Sequence, residues 1–427
     1  MRKVSFFNGK NMLLLWILVW GLLLDKSMQL HQMKKPLQTQ PEKEAVLTEP
    51  PTPSPSIPPE KAEKKEEEGS SIRVLLMTTG YEGYVHQKVS GICGQESFSY
   101  TADSPAFQKT DVIRLGDAET ETTLTSIERQ CSAPVYLGTM EIHKGEEGLY
   151  LVNEVPLETY LESVVPSEMP PSYEKEALKA QAVCARTYAW KHMTGKGLGL
   201  YGADVDDSVN YQVYGNIEVQ PASSLAVSET CGQILCHNGE PVEAYYFSTS
   251  SGATSTDEIW GAETAAPYLK SVECPFDSNI SWSSWKTALP WEGIQKKAQE
   301  KAGCSDALLS VEIRRKSPSQ AALELQVILE NTSFAVEGEY KIREFLSPKG
   351  CEITGKDGKT TTGGALLPSA YFSMELHPGE EILLEGRGYG HGVGMSQNGA
   401  NEMAKEGYTC REILNYFFRD VTIESCL

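Results

Sequence analysis

The ten cysteines include no C-x-x-C pair. Cys231, Cys236 and His237 lie close together, but no second pair at zinc-ligand spacing follows them, so no metal site is read from the sequence. An excess of positive charge is also missing. The formal net charge is −20 and the isoelectric point is near 4.9, which argues against nucleic acid as a ligand. Part of that negative charge sits in the stretch EKAEKKEEE at 60–68, which says little about a folded domain. There is no G-x-S-x-G motif and no evident Ser–His–Asp spacing, which leaves a serine nucleophile without support. The Gly-rich GRGYGHG is not followed by Lys-Ser/Thr and is not set in a strand–helix–strand unit, so it is no phosphate loop. No internal repeat is found, and the alternating βαβ order of a nucleotide-binding fold is absent.

No apolar run reaches the roughly 20 residues that span a bilayer. The longest, MLLLWILVWGLLL (Met12 to Leu24), follows Arg2, Lys3 and Lys10 and precedes Asp25 and Lys26. That length suits a signal-peptide core, yet no A-x-A-like cleavage site follows it. An uncleaved signal anchor is the first expectation for residues 1–29 and a cleaved signal peptide the second. Either one places the rest of the chain outside the cytoplasm. Export permits disulfides among the ten cysteines, and their scattered spacing equally suits free, buried, small apolar residues.

Residues 30–70 read as a disordered linker. TEPPTPSPSIPPE favours extended polyproline geometry, and the Glu/Lys run after it has nothing to bury in a core. A single domain is expected over 71–427. Its strand candidates are IRVLLM, PVYLGTMEIH, GLYLVNEV, GQILCHN, PVEAYYFST, LLSVEIRRK, ALELQVIL and EEILLEG, short runs bounded by Gly, Pro, Asn and Asp. The clearest helix is YEKEALKAQAVCARTYAWKHM. Leu178, Ala182, Ala185 and Ala189 fall on one stripe of it, and Ser172 is a natural cap. Shorter helices are expected at WEGIQKKAQEKAG, NGANEMAKEG and CREILNYFF. The fold class is therefore α+β, with a β-rich core and one long helix.

Three segments can carry chemistry. Glu168 lies just before the long helix, beside Met169, Pro170 and Pro171. A carboxyl on a stiff turn among apolar neighbours favours its protonated form, as a general acid requires. Arg186, further along the helix, is of the type that orients a carboxylate or a substrate oxygen. Alone, a loop Glu is more often a solvated surface residue. The stretch EGRGYGHGVGMSQNGA places five of its six glycines at alternate positions around His391, which suits close backbone approach in a cleft, or equally a structural turn. His391 there is expected to donate to substrate or to hold Glu168. The serines of YYFSTSSGATS can bond sugar hydroxyls, though serines of this kind more often end strands and turns.

NEVPLETYLESVVPSEMPPSYEKEALKAQAVCARTYAW resembles the signature of the stage II sporulation protein D family, also called SpoIID/LytB. So do DSVNYQVYG, GEPVEAYYFSTSSGATSTDEIWG with PYLKSV, and GRGYGHGVGMSQNGANEMAKEGYTCREILNYFF. The resemblance runs in order from about residue 72 to the C-terminus. It implies a lytic transglycosylase of peptidoglycan working in engulfment, beside an amidase that strips stem peptides and a membrane protein that anchors the complex. The catalytic residue it implies is Glu168. The substrate-binding set it implies is Arg186, Gln212, Tyr214, Ser248, Ser250, Ser251, Tyr389, His391, Ser396 and Gln397. Some members bind zinc through His-Cys before Q-V-Y. Asn210 and Tyr211 stand there here, so no metal and no cofactor carries over. The Ser block reads S-S-G-A at Ser250 to Ala253, where many members have a second Gly, a departure that weakens that part of the set.

The residues agree with this chemistry. Classical glycosidases use two carboxylates. A lytic transglycosylase can use one, which protonates the glycosidic oxygen and then deprotonates the C6 hydroxyl that closes a 1,6-anhydromuramic ring. The alternative implied by the LytB side of the family is a noncatalytic wall-binding module that enhances an N-acetylmuramoyl-L-alanine amidase. A purely structural envelope protein gives the His391 loop no purpose.

Overall fold

Most of the strand runs expected after residue 70 form short antiparallel ladders, whereas around PVEAYYFST only Glu240–Pro241 and Tyr246–Phe247 are strands. In the computed structural model, residues 70–427 are described; the apolar segment and all but the last residue of the linker lie outside the described residues. Among the described residues no helix is long and apolar enough to cross a membrane. Among the described residues the fold class is α+β, with many strands and seven α-helices.

Strand Ser71–Leu76 sits inside a five-stranded sheet. It pairs antiparallel with Leu149–Pro156 and parallel with Val205–Asp206, while Thr139–Lys144 and Val112–Leu115 extend the other edge. PVYLGTMEIH splits into Val135–Tyr136 and Thr139–Lys144, the first belonging to a neighbouring four-stranded sheet. Gly138 between them has φ +95°, and a Cβ there would meet the Glu154 carbonyl at 2.3 Å. The break is thus set by a backbone that only glycine tolerates at this approach.

The helices are α1 (Leu157–Glu168), α2 (Lys175–Thr194), α3 (Pro221–Glu229), α4 (Trp291–Ala302), α5 (Glu339–Phe345), α6 (Gln397–Lys405) and α7 (Cys410–Phe417). Helix α2 is the expected long helix, but it starts later than Ser172. Glu174 is its cap residue, and the Glu174 amide is satisfied by Asn401 Oδ1 at 2.9 Å. The stripe Leu178, Ala182, Ala185, Ala189 is fully inside, and so are Ala177, Ala180, Val183 and Cys184. Small side chains let α1, α3, α6, α7 and strand Gln233–His237 all approach it closely, so α2 is wrapped rather than amphipathic.

Among the described residues two large hydrophobic cores form, beside a small cluster of Leu75, Val152 and Ala203. The first gathers the five-stranded sheet around α1, α2, α3, α6 and α7. The second is built by an excursion of the chain. There Trp285–Pro290, Glu352–Gly355, Thr360–Thr362, Phe372–His377 and Glu381–Gly386 make a five-stranded sheet, and Leu308–Lys316, Ala322–Leu329 and Ser333–Glu337 a three-stranded one. These sheets and helices α4 and α5 enclose Trp285, Ile294, Leu325, Ile342 and Leu384. The excursion leaves after the Ser-rich segment and returns at the Gly-rich segment, so it delivers one to the other. Tyr246–Phe247 pairs parallel with Met395–Ser396, Thr249 pairs with Tyr389, and Ser255 with Val393.

Candidate active site

Glu168 is the last residue of α1, not part of a turn preceding α2. The segment LETYLESVVPSE holds its helix with Pro166 inside it, which hid the element from a reading that treats proline as a breaker. Leu157, Tyr160, Leu161, Val164 and Val165 are its buried face. The partial negative charge of a helix C-terminus disfavours a carboxylate at Glu168. Two polar groups reach the carboxyl: the Val213 amide donates to Oε1 at 2.6 Å, and the Tyr246 side chain is the second. Both favour the charged form, but burial outweighs them and raises the pKa to about 7. The residue as a whole is half-buried, while its carboxyl is desolvated. No carboxyl group is among the influences on its protonation.

Tyr246 is the centre of this arrangement, and the sequence reading did not single it out. Gln212 Nε2 donates to the Tyr246 hydroxyl at 3.2 Å, leaving that hydroxyl free to donate to Glu168. Gln212 is fully buried, held by the Ala185 carbonyl and the Tyr160 hydroxyl, each at 3.2 Å. It supports the site from behind instead of facing substrate. Gln397 acts similarly: its Nε2 donates to the Glu168 backbone oxygen at 3.0 Å and to Gln181 Oε1 at 3.3 Å. It fixes the end of α1.

His391 meets Tyr246 through the Tyr246 backbone, and its Nδ1 accepts from the Val393 amide at 3.1 Å. Burial, then the charge of Arg343, lowers its pKa to about 4, so the ring is neutral at pH 7. It does not hold Glu168; the two are linked through Tyr246. Three glycines set this loop. Gly392 has φ +84°, and a Cβ on it would lie 2.1 Å from the Tyr371 hydroxyl, which donates to the His391 carbonyl at 3.0 Å. Gly390 and Gly394 also have positive φ.

The serines divide. Ser248 is half-buried and its carbonyl accepts from the Asn398 amide and side chain, each at 3.0 Å. Ser251 is half-buried, with Oγ 3.4 Å from the Ala253 carbonyl. Ser250 and Ser396 are buried, and both bond Asp277. Ser250 gives its amide to Oδ2 at 2.7 Å and its hydroxyl to Oδ1 at 3.1 Å, and the Ser396 hydroxyl bonds Oδ2 at 2.7 Å. Asp277 thus clamps the Ser-rich segment to the start of α6. It was missed because nothing in PFDSN marks it. Tyr389 is half-buried and packs on Trp282 at 5.0 Å between ring centres. Tyr214 is buried; its hydroxyl donates to Asn153 Oδ1 at 2.7 Å.

Arg186 is also structural in its surroundings. It is 0% exposed. Its guanidinium bonds both oxygens of Glu158 at 2.7 Å, and the Gln233 and Val227 carbonyls at 3.2 Å. Every edge of the fork is occupied, which ties α2 to α1, α3 and strand Gln233–His237 and leaves no donor for a substrate. Among the described residues no group of three or more His, Cys, Asp or Glu side chains is placed to hold a metal. The ten cysteines are free thiols, none in a disulfide.

The family model SpoIID, stage II sporulation protein, matches residues 145–237, which hold Glu168, Arg186 and Gln212. The chain is 34% identical to stage II sporulation protein D of Bacillus subtilis over 287 residues, covering 64% of this chain and 75% of that protein. It is 32% identical to the protein of the same name from Bacillus amyloliquefaciens, with the same coverage. It is 27% identical to the amidase enhancer of Bacillus subtilis, over 62% of this chain and 40% of that protein.

Proposed function

The chain belongs to the stage II sporulation protein D family, and on that footing we propose that it is a lytic transglycosylase that cuts peptidoglycan glycan strands to 1,6-anhydromuramic ends during engulfment. The observation that carries the reading is the single, desolvated carboxyl of the half-buried Glu168, with a pKa of about 7 and no carboxyl partner among its influences. A protonated Glu168 donates to the glycosidic oxygen. The resulting carboxylate, steadied by the Val213 amide and Tyr246, takes the proton of the C6 hydroxyl as that oxygen attacks C1. A hydrolase would want a second carboxylate, at roughly 5–9.5 Å from the first. We place the enzyme outside the cytoplasm, held by its N-terminal segment, with an amidase and a membrane anchor as partners.

The test is mass spectrometry of products from peptidoglycan, with and without prior amidase treatment, beside Glu168→Ala. Anhydro ends absent in the variant are expected, and their appearance only after amidase treatment would define denuded glycan as the substrate. Reducing ends in place of anhydro ends would sink the transglycosylase reading. The likeness to an amidase enhancer favours a second reading, a wall-binding module without its own chemistry. Glycan binding with no cleavage of either substrate would select it.

A further inference from the structure

Cys231 is close to Cys236 in sequence, but the fold brings it to a different cysteine. Strand Gln233–His237 pairs antiparallel with Thr422–Ser425, Gln233 facing Ser425 and Cys236 facing Thr422. The pairing runs one bond further, where the Cys426 amide donates to the Gly232 carbonyl at 2.9 Å. Cys231 and Cys426 therefore stand one position off register on neighbouring strands. That offset puts their Cα atoms roughly 6 Å apart, within the span of a cystine. Gly232 has φ +69°, and this left-handed turn releases Cys231 from the alternation of the strand. Both thiols converge on one ion pair. Cys231 hydrogen-bonds the Glu158 carboxyl, and Cys426 lies within the influence of Arg186, Glu158 and the Cys231 thiol.

Cys231 is exposed and Cys426 half-buried, so a dissolved oxidant reaches the pair. The other neighbours do not compete. Cys236 is buried and lies four residues beyond Gly232 along its strand. Cys184 and Cys410 influence each other, but both are buried. We infer that Cys231 and Cys426 are a redox-active pair that closes to a disulfide by exchange with a small-molecule disulfide. The exposed Cys231 thiolate attacks the small disulfide and expels one thiolate from it, leaving a mixed disulfide. The Cys426 thiolate then attacks the Cys231 sulfur and expels the second. The two cysteines lose two protons and two electrons, and the small disulfide is reduced to two thiols. The cystine fastens the last strand beside the Glu158–Arg186 bridge. It also closes a loop that contains the Ser-rich segment, the 281–386 excursion and the Gly-rich loop, so it limits the unfolded chain strongly. No step of the proposed cleavage depends on it.

The experiment incubates the full chain with oxidised glutathione, blocks remaining thiols with iodoacetamide, and maps peptides by mass spectrometry. Burial raises the pKa of both thiols, so the exchange is run at about pH 8.5. The expected product is one linked pair of peptides, Cys231 to Cys426, two hydrogens lighter than the reduced pair and separated by a phosphine reductant. The oxidised protein melts about 5 °C above the reduced one. Cys426→Ser keeps the melting temperature of the reduced parent and traps glutathione on Cys231, which separates a lost link from a lost fold. Glutathione left on Cys231 of the unsubstituted chain overturns the pairing. So does a link from Cys231 to any other cysteine or to a second chain.

Discussion

The Val213 amide donates to Glu168 Oε1 across 2.6 Å, joining the end of α1 to a segment 45 positions further along the chain. Tyr246 adds its side chain to the same carboxyl, and its backbone meets the His391 ring. Acid and histidine are thus organised by two groups that belong to neither.

Activity falls as pH rises through about 7. The reaction begins from the protonated acid, and burial holds the Glu168 carboxyl at a pKa of about 7. Initial rates on denuded glycan from pH 5 to 9 check this; a rate flat from pH 6.5 to 8.5 contradicts it. No break near 6.5 from His391 is expected, since its pKa of about 4 leaves it neutral throughout that range.

Stability carries the same group's signature. The folded pKa of Glu168 lies above its ordinary 4.5, so the folded state holds a proton that the unfolded chain has lost. That contribution is full below pH 4.5 and disappears as pH rises through about 7. Glu168→Gln removes this slope. Urea midpoints of the two proteins therefore diverge in favour of the variant between pH 5 and 8, and parallel curves would show that the carboxyl is not desolvated.

Arg186→Ala destabilises the protein by about 3 kcal/mol, because Glu158 and two carbonyls lose the guanidinium that ties α2 to its neighbours. Denaturant unfolding measures this. In the fraction that remains folded, affinity for denuded glycan is unchanged. Weakened binding without loss of stability would return Arg186 to the substrate-facing set.

Asp277→Asn leaves one oxygen able to accept where two accept now, from Ser250 and Ser396. A loss of about 2 kcal/mol is expected, together with faster amide exchange at Ser250. Full stability would mean that the clamp is dispensable.

Gly392→Ala places a Cβ 2.1 Å from the Tyr371 hydroxyl at φ +84°, so Tyr371 or the His391 loop must move. Cleavage falls at least tenfold while the second core stays folded, read as an unaltered near-ultraviolet signal from Trp285 and Trp291. Wild-type activity would show that the loop tolerates the shift.

Much of the molecule follows from local pattern. The apolar stripe and small residues of 173–193 require a packed helix, which α2 is, and the β-branched runs of 308–316 and 322–329 pair as written. The four motifs identify the family, and the apolar residues beside Glu168 announce a carboxyl that prefers its proton. The tertiary structure decided the rest. Pro166 sits inside α1 because the buried face from Leu157 to Val165 outweighs one lost backbone hydrogen bond. Arg186 and Gln212 turned inward because their partners, Glu158, Val227, Gln233, Tyr160 and Tyr246, arrive from elsewhere in the chain. The roles of Tyr246 and Asp277 exist only once the 281–386 excursion returns the Gly-rich loop to the Ser-rich strand. A hydrogen bond or ring contact of this range is fixed by the position of both partners in space, and a sequence read along its length holds only one of them at a time.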